Sequence, residues 1–161
     1  MLFRSKIKNL CYIIILVIFG IYGYFLWLSL RPIDIVAVHH RGHGFSSILV
    51  NNFPFTDKDK ISWWLKNKDI LKEKYDIPKA ENDGYFNITV WLFGEGYKET
   101  DGYDRLCFED TPPPINCIDK NAVFSVSNSN NLGTIFTTYE GRYKLNKNGD
   151  IVKSTDNYEL K

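Results

Sequence analysis

Tyr85-Phe86-Asn87-Ile88-Thr89-Val90-Trp91-Leu92-Phe93 is the stretch on which the fold turns. In an extended chain Phe86, Ile88, Val90 and Leu92 share one face, and Tyr85, Asn87, Thr89, Trp91 and Phe93 the other. Sustained alternation in a run rich in β-branched and aromatic residues predicts a strand, because successive side chains of a pleated chain point to opposite sides.

Outward from that strand, towards the C-terminus, residues 103–108, 122–126 and 134–139 read as further strands. The last turns at Glu140 and Gly141 into 142–145, and residues 147–149 turn into 150–153, so the tail reads as a β meander. Towards the N-terminus, Thr56 and Asp57 offer N-caps to a helix over 58–75, with apolar residues recurring at Ile61, Trp64, Leu65, Leu71 and Tyr75 and Pro78 beyond its end. Earlier still, 33–39 and 45–50 form two β-prone runs around a turn at 41–44, which suits a hairpin. One helix among six to eight strands predicts an α+β domain with a mostly antiparallel sheet.

On the helical wheel Trp63 and Ile70 lie roughly 20° apart, well away from the other apolar positions. Two readings follow. The helix is buried over more than half its circumference, which a small aromatic-rich domain can require, or Trp63 and Ile70 mark a surface for a partner. The first is preferred, because exposed aromatic patches are rare on monomers.

The run LCYIIILVIFGIYGYFLWLSL, residues 10–30, carries no charge and as a helix reaches about 32 Å, enough to cross a bilayer core. Tyr22, Tyr24, Phe25 and Trp27 gather near one end, and Arg31 and Pro32 close it. It is too long for a signal-peptide core, no small-x-small cleavage site follows, and Cys11 lacks the small residues of a lipobox. The expected organisation is a cytoplasmic tail over 1–9, a transmembrane helix over 10–30 and an exported domain over 31–161. Three basic residues and the α-amino group before the helix, against Arg31 and Arg41 after it, place the N-terminus in the cytoplasm.

Composition limits function. A chain 44% hydrophobic and 16% aromatic is neither disordered nor fibrous, and 161 residues suffice for one domain. Arg4, Lys6, Lys8 and Arg31 are four of the twenty basic residues, so the rest of the chain holds sixteen against nineteen acidic ones, which argues against a nucleic-acid binder. Cys107 and Cys117 flank Pro112, Pro113 and Pro114 in a loop suited to a disulfide, worth on the order of 3 kcal/mol in an oxidising compartment such as a periplasm. The alternative is two buried free thiols.

Candidate chemistry is sparse. All three histidines lie in His39-His40-Arg41-Gly42-His43, and imidazoles so close could bind zinc, copper or nickel. A closed site wants four rigid ligands, which Asp34 alone does not complete, so the expectation is a solvated turn beside the membrane, with no metal and no cofactor. Ser46 and Ser47 sit in no nucleophile elbow, and Cys107 and Cys117 lack redox-motif spacing. Glu95, Glu99, Asp101, Asp104, Glu109 and Asp110 crowd one stretch without the ligand pattern of a calcium loop. Such a patch, if not merely a solvated face, would steer a basic protein partner. Asn87-Ile88-Thr89 is a glycosylation sequon only in a eukaryotic secretory pathway, and no phosphate loop or dinucleotide fingerprint is present.

NNFPFTDKDKISWWLKNKDILKEKYDIPK from Asn51, then ENDGYFNITVW, GYKETDGYDRLCF, and NCIDKN with VSNSNN behind it resemble an enterobacterial family of short single-pass inner-membrane proteins carrying a domain of unknown function. The resemblance extends over nearly the whole chain, including FLWLSLRP at the end of the apolar run. It implies a bacterial single-pass protein with a periplasmic domain and brings no catalytic residue with it.

Two functions from different classes are expected. One is a non-enzymatic, membrane-anchored periplasmic binding protein of the immunity type, which neutralises an antibacterial toxin through Trp63, Ile70 and the acidic residues Glu95, Glu99, Asp101 and Asp104. The other is an accessory or sensor subunit of an inner-membrane or envelope complex, using helix contacts within the bilayer. An enzyme comes third.

Overall fold

A computed structural model describes residues 2–29, 31–146 and 148–154. The chain divides into two compact units, residues 1–32 and 33–161. The first is helix α1, Leu2–Ser29, whose apolar part Asn9–Trp27 has a mean hydropathy of 2.3 and is long enough to cross a membrane. The helix therefore also runs through the basic stretch expected to be a tail, while Leu30 lies outside the described residues. After α1, the Arg31 guanidinium lies 3.7 Å from the centre of the Trp27 ring.

The second unit follows in the order β1 (Asp34–His40), β2 (Phe45–Asn51), α2 (Asp57–Tyr75), β3 (Phe86–Leu92), β4 (Lys98–Glu99), β5 (Leu106–Cys107), β6 (Ile115–Ile118), β7 (Ala122–Ser129), β8 (Gly133–Thr137), β9 (Arg142–Leu145) and β10 (Ile151–Lys153). Seven strands form one sheet in the order β1-β2-β3-β7-β8-β9-β10, and three short ones form a second, β4-β6-β5. The α+β class, the hairpin and the final meander agree with the sequence pattern. The β9–β10 turn includes Lys147, which lies outside the described residues, as do 155–161.

Among the described residues all strand pairs but one are antiparallel. The exception is β2 beside β3, in which Ile48 pairs with Val90 and Val50 with Leu92. Parallel neighbours need a crossover, and α2 is that crossover. Thr56 caps its start, Oγ1 accepting from the Asp59 amide at 3.2 Å. At its end Asp76 is left-handed, φ 54°, and its amide bonds back to the Leu71 and Lys72 carbonyls. Lys72 and Lys74 fill the last turn, where cations suit the helix dipole.

The large sheet has a core on its front face and, across β1, β2 and β3, a second one on its back. On the front, Ile48, Val50, Ile88, Val90, Phe124, Val126 and Phe136 pack with Ile61, Trp64 and Leu71 of α2. On the back, Leu49 is buried with Leu106, Phe108 and Ile118, and Trp91, Phe93 and Tyr97 pack around them. Each side of the β3 alternation thus has a core to face. In the β1–β2 turn Gly44 has φ 76°, and a Cβ there would lie 2.7 Å from the Tyr85 carbonyl oxygen, so this position requires glycine.

The strand expected over 103–108 shortens to Leu106–Cys107. The reason is local: Asp101 Oδ1 accepts from the amides of Tyr103, Asp104 and Arg105 at 3.1, 3.1 and 3.2 Å, so those donors serve a turn instead of a ladder. Strands β4 and β6, absent from the sequence expectation, are only two and four residues long, too short for a readable alternation.

Candidate functional site

The back layer concentrates the polar chemistry of the domain. Cys107 and Cys117 are directly opposite on β5 and β6 and form a disulfide. Of the two alternatives the structure has the bridge; Cys11 is free.

Around the bridge the acidic stretch is interleaved with bases. Lys98 Nζ lies 2.7 Å from Glu95 Oε2 and 2.6 Å from Asp119 Oδ2. Arg105 donates through Nε to Asp119 Oδ1 at 3.3 Å and through Nη1 to the Glu99 carbonyl at 2.6 Å. Lys120 Nζ is 3.5 Å from Asp104 Oδ1. The Asp119 carboxylate holds the Lys98 ammonium above its usual pKa, with Glu95 adding to it, and Lys98 in turn pulls Asp119 below the ordinary carboxylate value. Asp101 is also pulled down, first by the Tyr103 amide and then by that of Arg105. Between residues 95 and 120 there are seven carboxylates and three bases, so the patch remains acidic although it is braced from within. The sequence reading named the carboxylates and missed Lys98, Arg105, Asp119 and Lys120; Asp119 and Lys120 lie beyond the proline loop and reach the stretch only through the fold.

Tyr103, at the tip of the Asp101 turn, is 96% exposed. The three amide bonds to Asp101 hold the backbone at this tyrosine, so the ring stands on an ordered loop. The residues Asp101-Gly102-Tyr103 carry the turn signal in sequence; the exposure of the ring does not follow from them.

The histidines are not the solvated cluster expected. Alternation along β1 sends His39 and His40 to opposite sides, and His43 lies in the turn at φ 50°. His39 is buried, its ring stacked on Phe108 at 3.8 Å, with Nδ1 2.7 Å from Asp110 Oδ1 and Nε2 2.8 Å from the Tyr97 hydroxyl. The carboxylate can only accept, so Nδ1 donates to it, and in the neutral ring Nε2 accepts from Tyr97. Burial raises the Tyr97 pKa above its ordinary value. This carboxylate–imidazole–hydroxyl chain ties β1 of the large sheet to the back layer. Exposed His40 instead reaches Ser46 Oγ at 3.2 Å and the Tyr75 carbonyl at 3.1 Å. Among the described residues no group of three or more His, Cys, Asp or Glu side chains could hold a metal ion. A small cavity of about 190 Å³ opens beside Cys107, between Arg41 and Asp110.

Trp63 and Ile70 separate. Trp63 is half-buried against the front core, edge-on to Phe53 at 5.1 Å, whereas Ile70 is 57% exposed. The broad apolar arc of α2 thus packs Trp63 against the core and leaves Ile70 at the surface.

At the start of α2 a second polar cluster joins three elements. Asp57 Oδ2 accepts from Thr138 Oγ1 and from the Tyr143 hydroxyl, both at 2.7 Å, and Lys60 Nζ lies 3.9 Å from Oδ1. The Asp57 hydrogen bond pushes the Tyr143 pKa up to about 12. An open groove of about 710 Å³ lies alongside, lined by Lys58, Ile61, Glu140 and Tyr143 among others.

No curated protein and no solved structure matches this chain. One family model does, over residues 4–155, through the apolar helix and the whole described sheet domain. That extent settles membership: the chain belongs to the family described as "Enterobacterial putative membrane protein", DUF943.

Proposed function

We propose that α1 crosses the bacterial inner membrane once, with the N-terminus in the cytoplasm and the sheet domain in the periplasm, and that this domain binds a basic protein rather than catalysing a reaction. The receiving surface in this reading is the back layer. Tyr103 is the observation that carries it, a nearly fully exposed aromatic ring on a loop braced by Asp101, within a surface of surplus carboxylates. An aromatic anchor that is already ordered loses little entropy on docking, and surrounding charge of one sign hastens encounter with the opposite sign. The disulfide supports the periplasmic placement, since such bonds persist in oxidising compartments.

A basic partner meeting an envelope protein at this surface fits an immunity role, in which the domain captures an incoming antibacterial toxin. The test is paired capture from envelope and secreted fractions, using the full chain in detergent and a Tyr103→Ala, Asp104→Lys variant, with a sensitivity assay of cells lacking the gene. One basic protein retained by the native chain and lost by the variant, together with sensitised cells, is the expected result. Equal capture by both, or unchanged sensitivity to every toxin of kin strains, would overturn it.

A second reading, an accessory subunit of an envelope complex, draws on α1. Gly20 and Gly23 lie three residues apart in α1, and small residues at that spacing let another helix approach closely. Randomising residues 10–30 at constant hydrophobicity separates the two: immunity should tolerate the change, and a subunit using helix contacts should not.

A further inference from the structure

We propose that Cys107 is a thiol-exchange site, favouring small thiols that carry a positive charge over those that carry a negative one. The inference stands on the sheet domain itself and needs neither the membrane reading of α1 nor the partner assigned to Tyr103.

The two sulfurs of the bridge are unequal. Cys117 is fully buried, whereas Cys107 is partly exposed and lines the cavity of about 190 Å³ together with His40, Arg41, Phe108, Glu109 and Asp110. A water molecule takes up about 30 Å³ of liquid, so the cavity has room for on the order of six, enough for a thiol of a few heavy atoms. Exchange begins when a thiolate reaches one sulfur of a disulfide, and access decides which. Entry is therefore at Cys107, with Cys117 as the leaving group.

Charge selects the thiol. Glu109 and Asp110 bring two carboxylates to the cavity against the single guanidinium of Arg41. Asp110 accepts from His39 Nδ1 at 2.7 Å, a bond that orients the carboxylate and leaves its charge in place. In the neutral ring of His40, Nε2 donates to the Tyr75 carbonyl at 3.1 Å and Nδ1 accepts from the Ser46 hydroxyl at 3.2 Å, so this ring is engaged by its own neighbours. The surplus carboxylates of residues 95–120 extend the same sign beyond the cavity. An ammonium on the incoming thiol is attracted there and a sulfonate repelled, while Arg41 suits the thiolate sulfur itself.

In the step, a thiolate attacks Cys107 Sγ: the bond between the Cys107 and Cys117 sulfurs breaks, a mixed disulfide forms on Cys107, and Cys117 leaves as a thiolate. One disulfide is traded for another without net reduction. A second thiolate that attacks the outer sulfur of the adduct releases a small disulfide and the Cys107 thiolate, which completes a two-electron reduction. Strands β5 and β6 share two register pairs, Leu106 with Ile118 and Cys107 with Cys117, so the exchange leaves that ladder without its covalent tie.

The test uses the full chain in detergent, with Cys11→Ser so that the bridge holds the only cysteines. It is treated at low ionic strength with cysteamine, 2-mercaptoethanol or 2-mercaptoethanesulfonate, quenched with iodoacetamide and mapped by mass spectrometry. The proposal expects the adduct on Cys107 and the alkyl group on Cys117, about tenfold or more over the reverse. Per thiolate, the rate should fall from cysteamine through 2-mercaptoethanol to the sulfonate, about tenfold end to end, and the spread should narrow as salt is raised. Glu109→Lys should flatten or reverse that order. Adducts divided evenly between the two sulfurs, or favouring Cys117, would overturn the entry at Cys107. Equal rates for the three thiols, or an order unmoved by Glu109→Lys, would overturn the charge selection, and exchange seen only in denaturant would overturn both.

Discussion

The front and back of the seven-stranded sheet are two solutions to the same problem. On the front, one 19-residue helix lays Ile61, Trp64 and Leu71 over a continuous apolar surface, with the Asp57 cluster to Thr138 and Tyr143 a local polar tie at its start. On the back, a layer built on three strands of two to four residues sets Leu106, Phe108 and Ile118 against Leu49 of β2, a buried cluster of four side chains. So small a layer cannot be held by burial alone, and a disulfide, a braced set of ion pairs and the Asp110–His39–Tyr97 chain compensate. Packing thus holds the front, and covalent and polar bonds hold the back. The exposed Tyr103 belongs to the second kind of structure, a thin layer kept in shape so that its loops stay ordered.

The contrast can be broken or sharpened in order of expected effect. Phe124 lies at the centre of the front core, 6.0 Å from Phe53 and 6.2 Å from Phe136, ring centre to ring centre. Phe124→Ala should cost about 3–5 kcal/mol and unfold both layers together, read by denaturant titration of the full chain in detergent. Replacing Cys107 and Cys117 by serine should cost about 2–4 kcal/mol, with the loss falling first on the back layer. Tyr97→Phe removes the hydroxyl facing His39 Nε2 and should cost about 1 kcal/mol with no change in the front core, measured in the same way.

The smallest effect comes from acid. Asp101 and Asp119 have folded pKa values below the ordinary 3.8, so their contribution is complete above that value and fades as pH falls through the lowered ones. Between pH 5 and pH 2 the Tyr103 turn should loosen before β3 does, seen as earlier broadening of the Tyr103 to Arg105 amides. Raised salt should weaken the Lys98, Arg105 and Lys120 pairs and leave the front face unchanged.

The same contrast explains which parts were legible in sequence. Alternation in β3, the β-prone runs on either side of the 41–44 turn, the turn signals of the tail, the Thr56 cap and the recurrence of apolar residues along α2 are local patterns, and they disclosed the central strand, the hairpin, the meander and the helix. The parallel pairing of β2 with β3 was not legible, because it depends on where α2 returns the chain. On the back no period exists: β4 and β6 are too short, and the amides of residues 103–105 are taken by Asp101. His39 offered no cue to its burial, since its partners Tyr97 and Asp110 lie 58 and 71 residues away. The acidic residues were visible but their braces were not, and Trp63 and Ile70, alike on a wheel, differ in burial because Trp63 packs against Phe53.

Hydrogen exchange on the full chain, oxidised and then reduced, tests most directly the claim that the two faces are held by different forces. The account predicts that reduction exposes the amides of β4, β5 and β6 while those of β3 and β7 remain protected. Loss of protection in both sheets to the same degree, or in neither, would contradict it.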